Sequence, residues 1–201
     1  MESKSEMTKA LLGQKFKELV TAKGFDRITI KMITDASGVI RPTFYNYYQD
    51  KYEVMEWLLQ KEIFRSLDEL VEMGMYREAV KMLFRKIEAD RDYYVKVFEV
   101  KGQNSFEEML FHQIYRLTET LLEQHPLKHE YEKKIISRQT FVTFQTLTLV
   151  NGIHYWVANK EKIISADQAL EFYEFLMSHS ILDLIEAQEL QEEIHGESSR
   201  I

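Results

Sequence analysis

The 201-residue chain contains no cysteine. That excludes a disulfide framework, thiolate-held zinc or iron–sulfur centres and a thiol nucleophile. Proline and glycine are scarce, two and seven residues, while 45% of the chain is hydrophobic. So few chain breakers in so apolar a sequence disfavour both disorder and an all-β fold. Long apolar runs are missing too. The longest, Phe141 to Ala158, is interrupted by Gln145, Asn151 and His154 and by Thr143, Thr146 and Thr148, a poor pattern for a membrane span. The first 20 residues are polar and charged, unlike a secretory signal. A helical cytoplasmic protein with a real core is expected, with no membrane partner.

Catalytic signatures are also lacking. There is no Gly-rich phosphate loop, no nucleophile elbow and no HExxH pair. His125 and His129 stand four apart beside Glu130, but Pro126 lies between them and the segment reads as a loop, which argues against metal ligation. No metal, no cofactor and no enzymatic activity are expected.

What is present is an uneven charge. Residues 1–52 hold nine Lys/Arg and six Asp/Glu, whereas residues 53–201 hold 17 and 27. A basic unit on an acidic body suggests that one end meets a polyanion.

The pattern is helical throughout. From Thr8, Leu12, Phe16, Leu19 and Val20 recur at spacings of three and four, and Lys23-Gly24 ends the first helix. Phe25 and Ile28 then tuck into a core. Thr29 is placed to N-cap a short helix from Ile30 to about Ser37, and Gly38 breaks it. A third helix is expected from Arg41 to Tyr48, with Pro42 in its first turn. Asp50 and Glu53 form a capping box for a long fourth helix through Trp57 and Phe64 to about Met73. Further helices read near 76–89, 91–101, 104–124, 130–159 and 166–194, about nine in all.

Two short helices around a glycine turn make a helix-turn-helix. Ile30, Ile33 and Ala36 are expected inward from the first, Phe44 and Tyr48 from the second. That leaves Arg41, Pro42, Thr43, Asn46 and Tyr47 outward and Tyr45 at the flank, a set suited to a major groove. The stretch Ile28-Thr29-Ile30-Lys31-Met32-Ile33-Thr34-Asp35-Ala36-Ser37-Gly38-Val39-Ile40-Arg41-Pro42-Thr43-Phe44-Tyr45-Asn46-Tyr47-Tyr48-Gln49-Asp50-Lys51, with Phe16, Gly24 and Phe25 before it, resembles the signature of the TetR family of transcriptional regulators. The chain departs from that signature at Ile40, where the family often has a small polar residue, and at Pro42, where it commonly has glycine. The resemblance implies that Thr29 lies at the start of a helix that meets a phosphate, that Tyr45, Tyr47 and Lys51 contact the DNA backbone, and that Arg41 and Thr43 reach base edges. Asp92-Tyr93-Tyr94-Val95-Lys96-Val97-Phe98, taken with Thr43 to Tyr48, resembles a subgroup related to the activator of dihydroxyacetone kinase operons. Members of that subgroup are associated with sensing through a partner protein.

The resemblance implies an all-α fold in two domains: a three-helix DNA-binding unit, 1–52, and a helical effector-binding and dimerisation unit, 53–201. Its last two helices would pair with their twins in a four-helix bundle. Both are apolar on several faces in this sequence, and a helix hydrophobic nearly all round needs burial on nearly all sides. Phe144, Leu147, Trp156, Phe172, Phe175, Leu176 and Leu182 are the expected dimer contacts. Polar groups embedded in apolar helices, Tyr94, His112, Arg116, Arg138, Gln145, Asn151 and His154, are the candidate effector pocket. The fourth helix is expected to be the only long link between the units. The expected partners are double-stranded operator DNA, a second copy, and a small-molecule effector or co-regulator protein. A helical scaffold of the same fold that binds a protein and not DNA is the alternative, and a gel shift on promoter DNA separates the two.

Overall fold

The computed structural model describes residues 4–129, 137–159 and 163–184, and among these the only regular elements are helices. They are α1 (Lys4–Lys23), α2 (Ile30–Ser37), α3 (Arg41–Tyr45), α4 (Lys51–Leu59), α5 (Arg65–Glu72), α6 (Tyr76–Ala89), α7 (Arg91–Phe98), α8 (Phe106–Gln124), α9 (Arg138–Ala158) and α10 (Ala166–Ser178). A π-helical turn, Gln60–Phe64, joins α4 to α5. The three form one rod, so nine helices are described.

Capping explains most boundaries. Thr29 accepts the Met32 N–H, and Asp50 accepts those of Tyr52 and Glu53. Glu53 reaches back to the Gln49 N–H rather than to that of Asp50. Ser105, Ser137 and Ser165 cap α8, α9 and α10. Gly38 sits at φ 65°, ψ 27°, where a side chain would be strained, and so turns α2 into α3.

Several expected boundaries shift. α1 is already helical at Lys4, the first described residue, and Thr8 lies within it, bonding back to the Lys4 carbonyl. α3 stops at Tyr45, before a turn at Asn46 and Tyr47. The last helix ends at Ser178, not near 194. There the Ser178 hydroxyl donates to the Glu174 and Phe175 carbonyls and His179 turns extended, a local competition that favours helix ends. Residues 130–136 and 185–194 of the expected helices lie outside the described residues.

One buried cluster runs through the whole molecule, from Leu12 and Phe16 of α1 through Phe64 and Leu67 of the rod to Ile153 and Leu170. α1 packs on α2 and α4 and also directly on α7. The rod is therefore not the only bridge between the amino-terminal helices and the body. In the body α8 lies along α9, and α6 along α10. Arg91 closes the end of α9 by donating to the Trp156, Val157 and Asn159 carbonyls, groups that the helix leaves unpaired.

Candidate nucleic-acid interface

α3 is held from below by aromatic packing. Phe44 and Tyr48 are fully buried, their rings 5.7 Å apart, and Tyr48 meets Trp57 of α4 edge-on at 5.8 Å. The Tyr48 hydroxyl donates to the Lys9 carbonyl of α1, and burial pushes its pKa well above the ordinary tyrosine range. α2 buries Ile33 and Thr34, the latter satisfied by the Lys31 carbonyl, whereas Ala36 is exposed rather than inward. Two short helices, neither stable alone, thus gain a fixed mutual geometry.

The opposite side is open. Arg41, Pro42, Tyr45 and Asn46 are exposed, while Thr43 and Tyr47 are half-buried. Arg41 Nη2 donates to the Tyr45 hydroxyl at 2.9 Å, with the guanidinium 5.6 Å from that ring. A cation and a phenol are thereby presented together. Thr29, exposed, stands at the start of α2.

Lys51 is placed otherwise than expected. Its ammonium donates to the Phe25 carbonyl at 2.9 Å and the Ile28 carbonyl at 3.3 Å, 4.2 Å from the Phe25 ring centre. Desolvation lowers its pKa. Phe25 and Ile28 are buried, and the Phe25 carbonyl also accepts the Ile28 N–H. Lys51 adds a cation to both carbonyls, so its first task is to fasten that loop.

The seven polar residues expected to form an effector pocket do not converge. Tyr94 is buried in the core against Tyr93 and Phe106. His112 is exposed. Arg116 pairs with Asp68 at 2.6 Å and Arg138 with Glu119 at 3.0 Å. Asn151 donates to the Leu147 carbonyl of its own helix. His154 stacks on Phe98, 4.6 Å away, beside Glu107, and Gln145 is half-buried on α9. Most already have local company, the ordinary state of polar groups on packed helices. Among the described residues an apolar groove of about 480 Å3 runs between α9 and α10, lined by Phe84, Tyr155, Trp156, Phe172, Tyr173 and Leu176 among others.

Of the expected dimer contacts, Phe144, Leu147, Phe172, Phe175 and Leu176 are exposed, Phe144 by 65% and Phe172 by 57%. Tyr155 and Met177, not among the expected dimer contacts, are exposed as well. Trp156 is a correction: it is only 5% exposed, packs on Phe84 and donates its indole N–H to the Ile164 carbonyl. It is core of its own subunit. The side chain of Leu182 lies outside the described residues.

Sequence reasoning missed the junction between α1 and the body. Lys17 bridges Glu62 at 2.6 Å and Asp90 at 2.8 Å, and Lys86 donates to the Glu62 carbonyl. These partners are far apart in sequence, and no local pattern marks them.

A helix-turn-helix with a solvent-facing second helix, carried on a helical body, defines a DNA-binding regulator. Residues 17–57 match the family model described as bacterial regulatory proteins, tetR family, and residues 76–187 match that of a transcriptional regulator C-terminal region. The chain belongs to the TetR family of transcriptional regulators, with an amino-terminal DNA-binding domain and a carboxy-terminal ligand-binding domain. It is 22% identical over 150 residues to the HTH-type dhaKLM operon transcriptional activator DhaS of Lactococcus lactis subsp. lactis (strain IL1403), spanning 72% of this chain and 79% of that one. The solved dihydroxyacetone kinase operon activator DhaS is similar at 18% identity, with TM-score 0.59 over 84% of this chain and 93% of the other. The fatty acid degradation regulator FadR of Bacillus halodurans gives 17% identity and TM-score 0.62 over 88% and 95%. Among the described residues no helix is long and apolar enough to cross a membrane.

Proposed function

We propose that two copies of this chain pair through α9 and α10 and set their α3 helices into successive major grooves of a pseudo-palindromic operator. The observation that carries this is the two-sidedness of residues 41–48, α3 and the turn after it: Phe44 and Tyr48 anchor one side while Arg41, Pro42, Tyr45 and Asn46 are exposed on the other. Residues 1–52 act as the head and 53–201 as the body. Arg41, Thr43 and Asn46 meet base edges. Thr29, Tyr45 and Tyr47 meet phosphates. Lys51 keeps one of its three N–H groups for a phosphate after fastening the loop. The exposed apolar residues of α9 and α10 supply the pairing face. An effector, small molecule or co-regulator protein, bound in the body changes operator affinity by favouring one separation of the heads.

Selection of duplexes from a randomised library by the full chain tests this. An enriched inverted repeat, with half-sites spaced by whole helical turns, is the expected result. No enrichment at low salt, where phosphate contacts are strongest, would turn the reading toward a protein-binding scaffold of the same fold.

A further inference from the structure

We infer that Ile40 and Pro42 read thymine, so that each operator half-site holds a T·A pair whose C5-methyl group packs on these two side chains. The inference rests on the DNA reading above and adds a base to it.

Ile40 is 70% exposed, the most exposed large hydrophobic side chain of residues 4–59. Its backbone is extended, φ −81° and ψ 152°, and it leads straight into α3 without capping it. Pro42 comes next but one, as the second residue of α3, and is also exposed. At 3.6 residues per turn Pro42 lies roughly opposite Phe44, whose ring is buried. The side of α3 turned away from the core therefore begins with a pyrrolidine ring and continues with Asn46. One scattered apolar residue on a surface needs no explanation. Two of them, entering and opening the element that lies in the groove, do.

Neither side chain has a hydrogen-bonding group, and Pro42 has no N–H. They cannot read the donors and acceptors of guanine, adenine or cytosine. In the major groove only thymine offers an apolar group, its C5-methyl. Arg41, tied to the Tyr45 hydroxyl, lies between the two residues in sequence and reaches a neighbouring base edge, while Tyr45 beside it meets a phosphate. The chemistry at this point of the surface is a methyl-sized apolar contact beside a guanidinium, which fits a T·A pair next to the base that Arg41 reads.

The test uses the full chain and the duplex it selects, replacing each thymine in turn by deoxyuridine. This removes the methyl and leaves every hydrogen-bonding group. At one thymine per half-site the replacement is expected to weaken binding about four-fold, and about fifteen-fold when made in both half-sites. Ile40→Ser and Pro42→Ala should bind the thymine duplex more weakly and lose most of the response at that position. Both positions are exposed, so the variants fold, which their thermal unfolding checks. A selected duplex that binds equally well with every thymine replaced would overturn the inference and leave the DNA reading standing. So would a deoxyuridine effect of the same size in the wild type and both variants. Failure to select any duplex would overturn both.

Discussion

Lys17 and Glu62, 45 residues apart in the chain, meet at 2.6 Å where α1 crosses the π-helical turn. Asp90, at the junction of α6 and α7, completes the group at 2.8 Å from the same ammonium. Lys17 is mostly buried, its side chain 17% exposed. Removing it leaves Glu62 and Asp90, 33% and 44% exposed, without the cation they share. Lys17→Met is expected to cost about 1–3 kcal/mol, more than an exposed ion pair and less than a fully buried one. It should also raise amide exchange in α1. Urea unfolding with exchange measured by mass spectrometry checks both. An unchanged midpoint and unchanged exchange would mean that α1 is held by its apolar contacts alone.

Gly13 of α1 faces Trp57 and Leu58 of α4. A Cβ there would lie 2.6 Å from Trp57 Cζ3. Alanine normally stabilises a helix interior by about 1 kcal/mol over glycine. Here the ring is fixed against Tyr48, and overpacking costs about 1–3 kcal/mol. Gly13→Ala is expected to lower the melting temperature by a few degrees and to shift the Trp57 fluorescence. A rise in melting temperature would show that the ring moves aside freely.

The caps, the turn and the buried aromatic pair of the head were readable because their determinants are local, whereas Ala36, the end of α3 and Lys51 were not. Thr29 and Asp50 each cap the helix that begins at the next residue, Gly38 turns, and Phe44 and Tyr48 repeat at one helical turn. The exposed apolar residues of α9 and α10 were readable as a surplus of apolar faces. The pocket was not. Polar side chains such as Arg116, Arg138 and Asn151 find partners on their own or adjacent helices, and nothing in their spacing separates that from a site. Trp156 and Phe172 look alike in sequence. The loop carbonyl of Ile164, the ring of Phe84 and the guanidinium of Arg91 hold Trp156 inward. The direction of Lys51 was hidden for the same reason, since the carbonyls it takes lie 23 and 26 residues back.

Lys51→Ala should therefore show two effects. Loss of its bonds to the Phe25 and Ile28 carbonyls is expected to destabilise the head by about 1–2 kcal/mol. Operator binding should weaken about equally on all sequences, with the salt slope flatter by about one unit per lost phosphate contact. Thr43→Ala, by contrast, should relax preference at one half-site position by about 1–3 kcal/mol and leave the salt slope alone. Titrations at several salt concentrations separate the two. An unchanged slope with Lys51→Ala would confine that residue to fastening the loop.

Phe144 and Phe175 test the pairing face. Both are exposed on the single chain, so a charge there costs the folded subunit little. Buried between two subunits, it would be unpaired and costly. Phe144→Glu and Phe175→Arg are each expected to sediment near 24.0 kDa and the unaltered protein near twice that mass. Both variants should keep the helical circular dichroism of the unaltered chain. Dimers of unaltered strength in both would place the interface elsewhere.

The most direct measurement is the affinity of the full chain for its selected duplex, compared with the same duplex carrying about five extra base pairs between the half-sites. Half a helical turn carries the second site to the far side of the DNA, where a paired head cannot reach it. Two joined heads should then lose about a hundred-fold in affinity or more, because the second contact no longer adds to the first. Equal affinity for the two duplexes, or one chain bound per duplex at saturation, would contradict a homodimer reading two half-sites through α3.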